Sequence, residues 1–291
     1  MSISGQNLSI VIVTLKSEKV IHNCIKSIDK NIPIIVVENS SNLKFKNELE
    51  NTYNNVSCIL SHKNLGMGSG NNIGIKLAKT NYVLVLNPDV IFEHNTLEEL
   101  YRTSEEVPDF CILSPLCIDS NFPNYRIDNK QDLLEQKETP FKVDFVDGFA
   151  MLFDKKKFKN DEYFDEKYFM YLENDDLCLR VKKHGGSIFV LPKSKIKHLG
   201  ASAVDKIYNK EIELSRNWHW VWSKFYFNKK NFGIFKALKE CLLSYFTAII
   251  KFLFFSILNN DFKKKIYFNR ASGFFNALIG KPSWYRPKLE D

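Results

Sequence analysis

The sequence predicts an α/β fold over residues 1–204, with a Rossmann-like, mostly parallel central sheet, followed over 205–291 by a helical, basic, aromatic-rich extension. Two patterns carry the first part. Short β-branched runs alternate with stretches of helical period as far as residue 86, the order that builds a parallel sheet covered on both faces. Polar clusters at 38–41, 64–72 and 87–89 follow those runs or open the next helix. Right-handed crossovers place all three beyond the carboxyl ends of the strands, where such sheets bind ligands. The third observation is a division of charge. Residues 1–204 hold 25 Lys+Arg and 27 Asp+Glu, whereas 205–291 hold 16 and 7, so the net charge of +7 comes from the extension. The extension also carries 21 of the 40 aromatic residues, including every Trp. A nucleic-acid-binding protein would not confine its basic surface to a tail. The hydrophobic content of 44% argues against a wholly disordered chain.

Each element follows from its own pattern. Residues 8–14 (LSIVIVT) are a buried strand, uninterrupted by charge, and no basic region precedes them as a signal peptide would require. Residues 18–30 are helical, with Val20, Ile21, Cys24, Ile25 and Ile28 near 3.6 spacing. A second strand spans 33–37, a helical stretch 43–52 and a short strand 56–60. The Gly- and Asn-rich segment 64–72 opens a helix that continues to about residue 79, and 82–86 (YVLVL) is a strand ending at Asn87-Pro88-Asp89. A helix over 95–106 has Asn95 as its N-cap and Glu98 at the spacing of a capping box. Residues 119–140 are polar and aperiodic, a loop or insertion. Residues 143–153 form a strand interrupted at Asp147-Gly148, the second half of 164–184 is a helix stopped by Gly185-Gly186, and 187–191 is a last short strand. The six cysteines are scattered without a CxxC pair, as buried thiols are, and not as a zinc site or disulfide framework would be.

Asp89, at the end of a strong apolar strand, suits a divalent cation held against a diphosphate, because hard oxygen ligands favour Mg2+ or Mn2+; a plain Asx turn would use the same residues. Glu173, Asp175 and Asp176 crowd a helix start behind the aromatic run 168–171. A carboxylate against such walls has a raised pKa and serves as a base, whereas Arg180, four residues after Asp176, offers it a helical ion pair. Backbone N–H groups at the start of the helix opened by 64–72 suit phosphate, although the segment is neither a P-loop nor GxGxxG. His198 offers a nitrogen ligand beside Asp89.

Taken in order, VVENSS at 36–41, NLGMGSGNN at 64–72, LNPDV at 86–90, DGFAMLF at 147–153, FDEKYFMYLENDDLCLR at 164–180 and HLGAS at 198–202 resemble glycosyltransferase family 2, which has the GT-A fold, in its bacterial rhamnosyltransferase-like branch. The resemblance covers roughly residues 8–204. It implies a metal-dependent, inverting transferase that moves a sugar from a nucleoside-diphosphate donor to a glycan or lipid-linked acceptor. Thr14 and Glu38 would line the nucleoside pocket, with Glu38 where the family usually has Asp. Asn64 and Asn72 would shape the diphosphate and sugar pocket, Asn87 and Asp89 would be the DxD-like pair, and Asp147 and Gly148 would border donor sugar and acceptor. The base would lie among 173–176, but the position that commonly supplies it is Asn174 here, which leaves Glu173, Asp175 and Asp176. On this reading Asp89→Ala and Asp176→Ala abolish transfer and leave the fold intact. A sugar nucleotidyltransferase and a catalytically impaired scaffold are the rival readings.

In the extension, residues 241–258 (CLLSYFTAIIKFLFFSIL) hold Lys251 as their sole charge, between lysine-rich flanks and downstream of Trp218, Trp220 and Trp222. That pattern suits a helix lying in the interface of an anionic membrane, at the inner face of the cytoplasmic membrane, ahead of a packed helical subdomain, a homodimer contact or a spanning helix.

Overall fold

The computed structural model describes residues 7–107, 109–119, 123–128, 138–200 and 203–289; the remainder of the predicted 119–140 loop, and Ala201 and Ser202 of the HLGAS segment, lie outside them. The described elements are β1 (Leu8–Thr14), α1 (Glu18–Lys26), β2 (Ile34–Glu38), α2 (Leu43–Thr52), β3 (Val56–Leu60), α3 (Met67–Leu77), β4 (Tyr82–Leu86), β5 (Val90–Phe92), α4 (Thr96–Glu106), β6 (Phe110–Cys117), β7 (Tyr125–Arg126), β8 (Phe141–Lys142), β9 (Phe145–Val146), β10 (Ala150–Asp154), α5 (Glu173–Lys183), β11 (Ser187–His198), α6 (Asn209–Phe232), α7 (Ile234–Ile257) and α8 (Asp261–Leu278). They form two compact units. The first takes the chain up to Asp165 together with Asn174–Asp205; the second takes Glu166–Glu173 and Lys206–Asp291. A single cut after residue 204 did not anticipate that the short 166–173 segment groups with the helices.

The first unit is built on a sheet of order β3-β2-β1-β4-β10-β6-β11-β5. β3, β2, β1 and β4 are parallel and in simple register, Thr14 opposite Glu38 and Ile12 opposite Leu86, so their carboxyl ends align along one edge. β10 enters antiparallel beside β4, with Ala150 opposite Leu86. Ile10, Ile12, Val36, Leu84 and Leu86 face one apolar layer and Val11, Val83 and Val85 the other, as two-faced burial of a parallel sheet requires.

Two strands departed from expectation. β6 was passed over because Pro115 interrupts its pattern. β11 runs seven residues beyond 191, to His198, through a register shift between Leu191 and Lys195 that accommodates Pro192. Asn95 takes a left-handed conformation (φ 62°) and its side chain makes no cap bond, so the capping box does not form.

The second unit contains three long helices around Trp218, Trp222, Phe225 and Phe274. α8 crosses α6 so closely at Gly273 that a Cβ there would fall 2.4 Å from the Trp218 carbonyl oxygen. His219 is held neutral by burial, its pKa pushed down to about 3. Its Nε2–H donates to the Tyr285 carbonyl at 2.9 Å and its Nδ1 accepts from Ser283 Oγ at 3.0 Å, which fixes the segment after α8. In the same unit Ser223 Oγ donates to the Met170 carbonyl at 2.7 Å and the Arg286 guanidinium lies 3.9 Å over the Phe169 ring. Trp218 and Trp222 are therefore core residues and not interfacial anchors; Trp220 and Trp284 are exposed. α7 is the one helix among the described residues long and apolar enough to cross a membrane, with a mean hydropathy of 1.6.

Glycine sets the packing of α3 on β1. A Cβ at Gly74 would lie 2.2 Å from Val11 Cγ1 and one at Gly70 would lie 2.9 Å from Val13 Cγ1. Gly74→Ala therefore lowers unfolding free energy by about 1–3 kcal/mol, whereas Gly148→Ala, whose methyl meets only Asn174 atoms at 3.4 Å and beyond, stays close to wild type in urea denaturation.

Candidate active site

The carboxyl edge of the parallel strands gathers buried polar atoms that have no partner among the described residues. They are Thr14 Oγ1 at the end of β1, Asn39 Oδ1 after β2, Asn71 Oδ1 on the first turns of α3 and Asn87 Oδ1 after β4, while Asp89 Oδ1 has the His198 imidazole beside it. Asn39 is tied to both neighbouring segments: its N–H donates to the Thr14 carbonyl at 2.8 Å, and its Nδ2 donates to the Gly66 carbonyl at 3.1 Å. Each orphaned polar atom costs roughly 1–3 kcal/mol unless a ligand or water meets it. Four such atoms gather at this edge and are open to a polar ligand or water.

Asn87-Pro88-Asp89 is a turn held from three sides. Asn87 N–H donates to the Phe149 carbonyl at 2.9 Å, the Cys24 thiol lies 3.7 Å from the Asn87 carbonyl, and Leu199 N–H donates to the Asp89 carbonyl at 3.1 Å. Because β11 pairs with β5 as His198 opposite Val90, the last residue of β11 arrives beside Asp89, with Nε2 3.3 Å from Oδ1. Phe149 stacks on the imidazole at 4.2 Å and fixes its plane. Desolvation raises the Asp147 pKa, against the opposing charges of Arg126 and His198. No third His, Cys, Asp or Glu completes a metal cluster among the described residues. Asn87 Oδ1 and Asp89 Oδ1 are oxygen donors of the kind Mg2+ or Mn2+ takes, and His198 Nε2 adds a nitrogen beside Asp89.

The remaining expected residues divide. Glu38 is fully buried and its carboxylate is already filled, Oε1 by Ser40 N–H at 2.9 Å and by the Ser40 hydroxyl, and Oε2 by Asn42 N–H at 2.7 Å. It organises the turn into α2, and the unpartnered oxygen at this turn belongs to its neighbour Asn39. Asn72 is also spent: Oδ1 accepts from Phe164 N–H at 3.0 Å and Nδ2 donates to the Phe164 carbonyl at 2.9 Å. Asn71, one residue earlier, carries the unpartnered oxygen. Asn64 Oδ1 caps the loop by accepting from Gly66 N–H at 3.1 Å. Which of two adjacent polar residues keeps an unpartnered oxygen depends on local turn bonds.

The acids at the start of α5 are likewise sorted by their partners. Asp176 is fully buried and paired with Arg180, Nε to Oδ2 at 3.0 Å, while the same guanidinium reaches the Glu162 and Tyr163 carbonyls. This is a structural lock, at a residue for which the sequence reading expects a catalytic role. Asp175 is buried against Arg126, whose guanidinium also lies 4.6 Å over the Phe145 ring. Arg126 was not singled out in the sequence, since a lone Arg in a polar loop carries no signal. Asn174 Nδ2 donates to the Val146 carbonyl at 3.0 Å and its Cβ stands over Gly148, so it anchors the helix start to β9. Glu173 is left. Its Oε2 is buried without a partner among the described residues, and burial pushes its carboxyl up to about 7.

Comparison with known proteins identifies the family. The family model for glycosyl transferase family 2 matches residues 9–161, just over half of the chain. The chain belongs to that family, and it is a glycosyltransferase. It is 29% identical over 226 residues to the low-salt glycan biosynthesis hexosyltransferase Agl10 of Haloferax volcanii, covering 72% of this chain and 69% of that one. It is 24% identical over 208 residues to the N-acetylglucosaminyl-diphospho-decaprenol L-rhamnosyltransferase of Mycobacterium tuberculosis, covering 58% and 67%. It is 26% identical over 221 residues to the rhamnosyltransferase WbbL of Escherichia coli, covering 63% and 80%. Among solved structures, GalNAc-T7 with UDP, GalNAc and Mn2+ superposes with a TM-score of 0.56 at 16% identity over 76% of this chain and 51% of that chain. S. aureus TarS 1-349 superposes with a TM-score of 0.51 at 14% identity over 98% and 94%. At these identities the superpositions show the GT-A fold, and the fold alone.

Removing one partner of the buried Asp176–Arg180 pair costs about 3–5 kcal/mol. Asp176→Ala is therefore expected to lower the urea midpoint sharply and to lose activity through unfolding. An Asp176→Ala protein that is fully folded yet inactive would return the residue to the chemistry.

Proposed function

We propose that this protein is an inverting, divalent-metal-dependent glycosyltransferase. It moves a hexose of the rhamnose type from a nucleoside diphosphate to a lipid-linked glycan acceptor in cell-surface polysaccharide synthesis. The observation that carries the reading is the row of unpartnered polar atoms from Thr14 to Asn87, with Asp89 and His198 side by side next to it. Thr14 and Asn39 offer hydrogen bonds to a nucleoside, Asn71 stands by the diphosphate, and Asn87, Asp89 and His198 hold the cation. A bound Mg2+ or Mn2+ supplies positive charge against the leaving diphosphate. The names of the mycobacterial and E. coli relatives support the sugar, and that of the mycobacterial relative supports the acceptor class.

Glu173 is the base on this reading. It is the one acid of the three at the start of α5 without a cation partner, and its raised pKa matches the task of taking a proton near neutrality. The acceptor hydroxyl gives its proton to the Glu173 carboxylate as its oxygen bonds the anomeric carbon. The bond from that carbon to the diphosphate oxygen breaks, and the nucleoside diphosphate leaves with the electron pair. One displacement inverts the anomeric centre.

The second unit addresses the enzyme to a membrane on its cytoplasmic side. α7 exposes Leu243, Phe246, Ile250, Leu253 and Ile257 along one helical stripe, with Ile257 80% and Leu243 79% exposed. A soluble helix would present charge there. Lys229, Lys230, Lys236 and Lys239 on one side and Lys263, Lys264 and Lys265 on the other complement anionic lipid.

Three outcomes test these readings. Glu173→Gln lowers kcat by roughly 10²–10⁴-fold with donor affinity unchanged in calorimetry. The base works only when deprotonated, so wild-type kcat rises with pH through about 7, and that limb disappears in the variant. Asp89→Ala removes metal-dependent nucleotide binding, read by calorimetry with and without Mn2+. Ile250→Glu reduces co-flotation with phosphatidylglycerol vesicles; undiminished flotation would remove α7 from the membrane contact.

A further inference from the structure

Within the second unit a groove of about 290 Å³ opens between α6, α7 and α8. Ser244, Thr247 and Ala248 of α7 form a floor of small side chains, and Trp220 of α6 and Tyr267 of α8 contribute aromatic walls. Three cations line it: Lys224, Lys251 and Arg270. Lys224 is paired with Glu240, Nζ to Oε2 at 3.6 Å. Lys251 and Arg270 have no carboxylate partner among the described residues. Both lie over the Tyr267 ring, at 5.2 and 5.5 Å from its centroid, and Arg270 Nε donates to Asn217 Oδ1 at 2.6 Å, which leaves its terminal nitrogens uncommitted. Two like charges against one ring, on neighbouring helices, repel each other unless an anion sits between them.

The position of Lys251 narrows the anion. It is the sole charge within the apolar run 241–258, on the helix whose exposed stripe includes Leu243 and Ile250. Leu243 also lines the groove, so the cationic pocket and the apolar face are continuous. A ligand that satisfies both carries an anionic group at one end and a long apolar chain at the other. No carboxylate lines the groove to oppose a phosphate.

We propose that this groove binds the phosphate or diphosphate of a polyprenyl-type lipid, with the apolar chain running along the exposed face of α7. The inference rests on the reading of the acceptor as lipid-linked and gives that acceptor a second point of attachment, separate from the sugar that receives the new bond. Lys251 and Arg270 grip the phosphate oxygens, Arg270 by paired N–H donors. Ser244 adds a hydroxyl donor, and Trp220 covers the start of the chain.

The test is a co-flotation assay on the full-length protein without donor sugar. Phosphatidylcholine vesicles are doped either with polyprenyl phosphate or with phosphatidylglycerol at matched charge, and inorganic diphosphate is titrated separately by calorimetry. Wild type is expected to prefer the polyprenyl phosphate vesicles. Lys251→Gln/Arg270→Gln should lose roughly tenfold or more of that binding, at about one unit of charge-linked attraction per cation, and little of the phosphatidylglycerol binding. Arg270→Lys keeps the charge and loses the paired donors, so it should fall between wild type and Arg270→Gln at an unchanged melting temperature, which separates lost charge from lost folding. Lys263→Gln/Lys264→Gln, outside the groove, should weaken both vesicle types alike. Equal preference for the two lipids, or equal losses in the groove and control variants, overturns the proposal in favour of diffuse electrostatics. Inorganic diphosphate bound as tightly as the vesicles also overturns it, because no apolar chain is then needed. Sugar transfer to a lipid-linked acceptor in detergent is measured independently: transfer with no groove preference sinks the groove alone, and groove binding with no transfer sinks the functional reading alone.

Discussion

At Gly74 a Cβ would stand 2.2 Å from Val11 Cγ1, and at Gly70 one would stand 2.9 Å from Val13 Cγ1, so α3 rests on β1 at a separation only glycine permits. The consequences reach the whole donor edge. With α3 that close, Gly66 comes within hydrogen-bond reach of Asn39, and Asn71 is held beside the end of β1. Gly66 itself, at φ 84°, turns the chain into the helix in a conformation that a side chain would resist. The Gly-rich segment therefore serves the site through packing first: it lets a helix approach the sheet closely enough for its first turns to join the strand ends in one polar row.

The start of α5 shows how a fold distributes roles among similar side chains. Three carboxylates and an amide occupy four consecutive positions, 173–176. Arg180 neutralises Asp176 within a buried lock, Arg126 neutralises Asp175, and Asn174 uses its amide on the Val146 carbonyl. Each of these tasks fixes the helix start, and each removes one residue from chemistry. An Asn at 174 does more for that anchoring than an Asp would, because a carboxylate could not donate to the Val146 carbonyl. The raised pKa of Glu173 then has a simple origin, burial with no cation beside it.

Much of the fold was legible because a parallel sheet leaves a strong signature. Strands buried on both faces must be apolar throughout, so LSIVIVT and YVLVL identify themselves, and their order then fixes the edge at which polar residues gather. What stayed hidden depends on contacts distant in sequence. β6 contains a proline, β11 crosses one by a register shift, and Arg126 acquires meaning only when it meets Asp175, 49 positions later. The choices between Glu38 and Asn39, and between Asn71 and Asn72, turned on single bonds to Ser40, Asn42 and Phe164 that no periodicity encodes. The tryptophans of α6 misled for a related reason. An aromatic cluster in a basic helix fits a membrane interface and a helical core equally well, and the close crossing at Gly273 decides for the core in the case of Trp218.

The same unit bears on how α7 would meet a bilayer. A lysine near the middle of a spanning helix costs about 2.5–3.5 kcal/mol on insertion scales, and Lys251 is only the first such cost. α7 packs against α6 and α8 within one unit, sharing with them the core of Trp218, Phe225, Ala237, Cys241 and Phe274. Neither partner suits hydrocarbon: α6 carries Lys224 and buried Asn217, and α8 carries Arg270 and a run of three lysines at 263–265. To span, α7 would have to leave that core or draw those charges with it. Lying flat, it keeps its small-residue side, Ala237, Cys241 and Ala248, against the other helices and immerses only the Leu243–Ile257 stripe, with Lys251 free to meet lipid phosphate at the level where phosphate lies. On the proposed reading, the charge that spoils the helix as a span would be the feature that suits it to the interface.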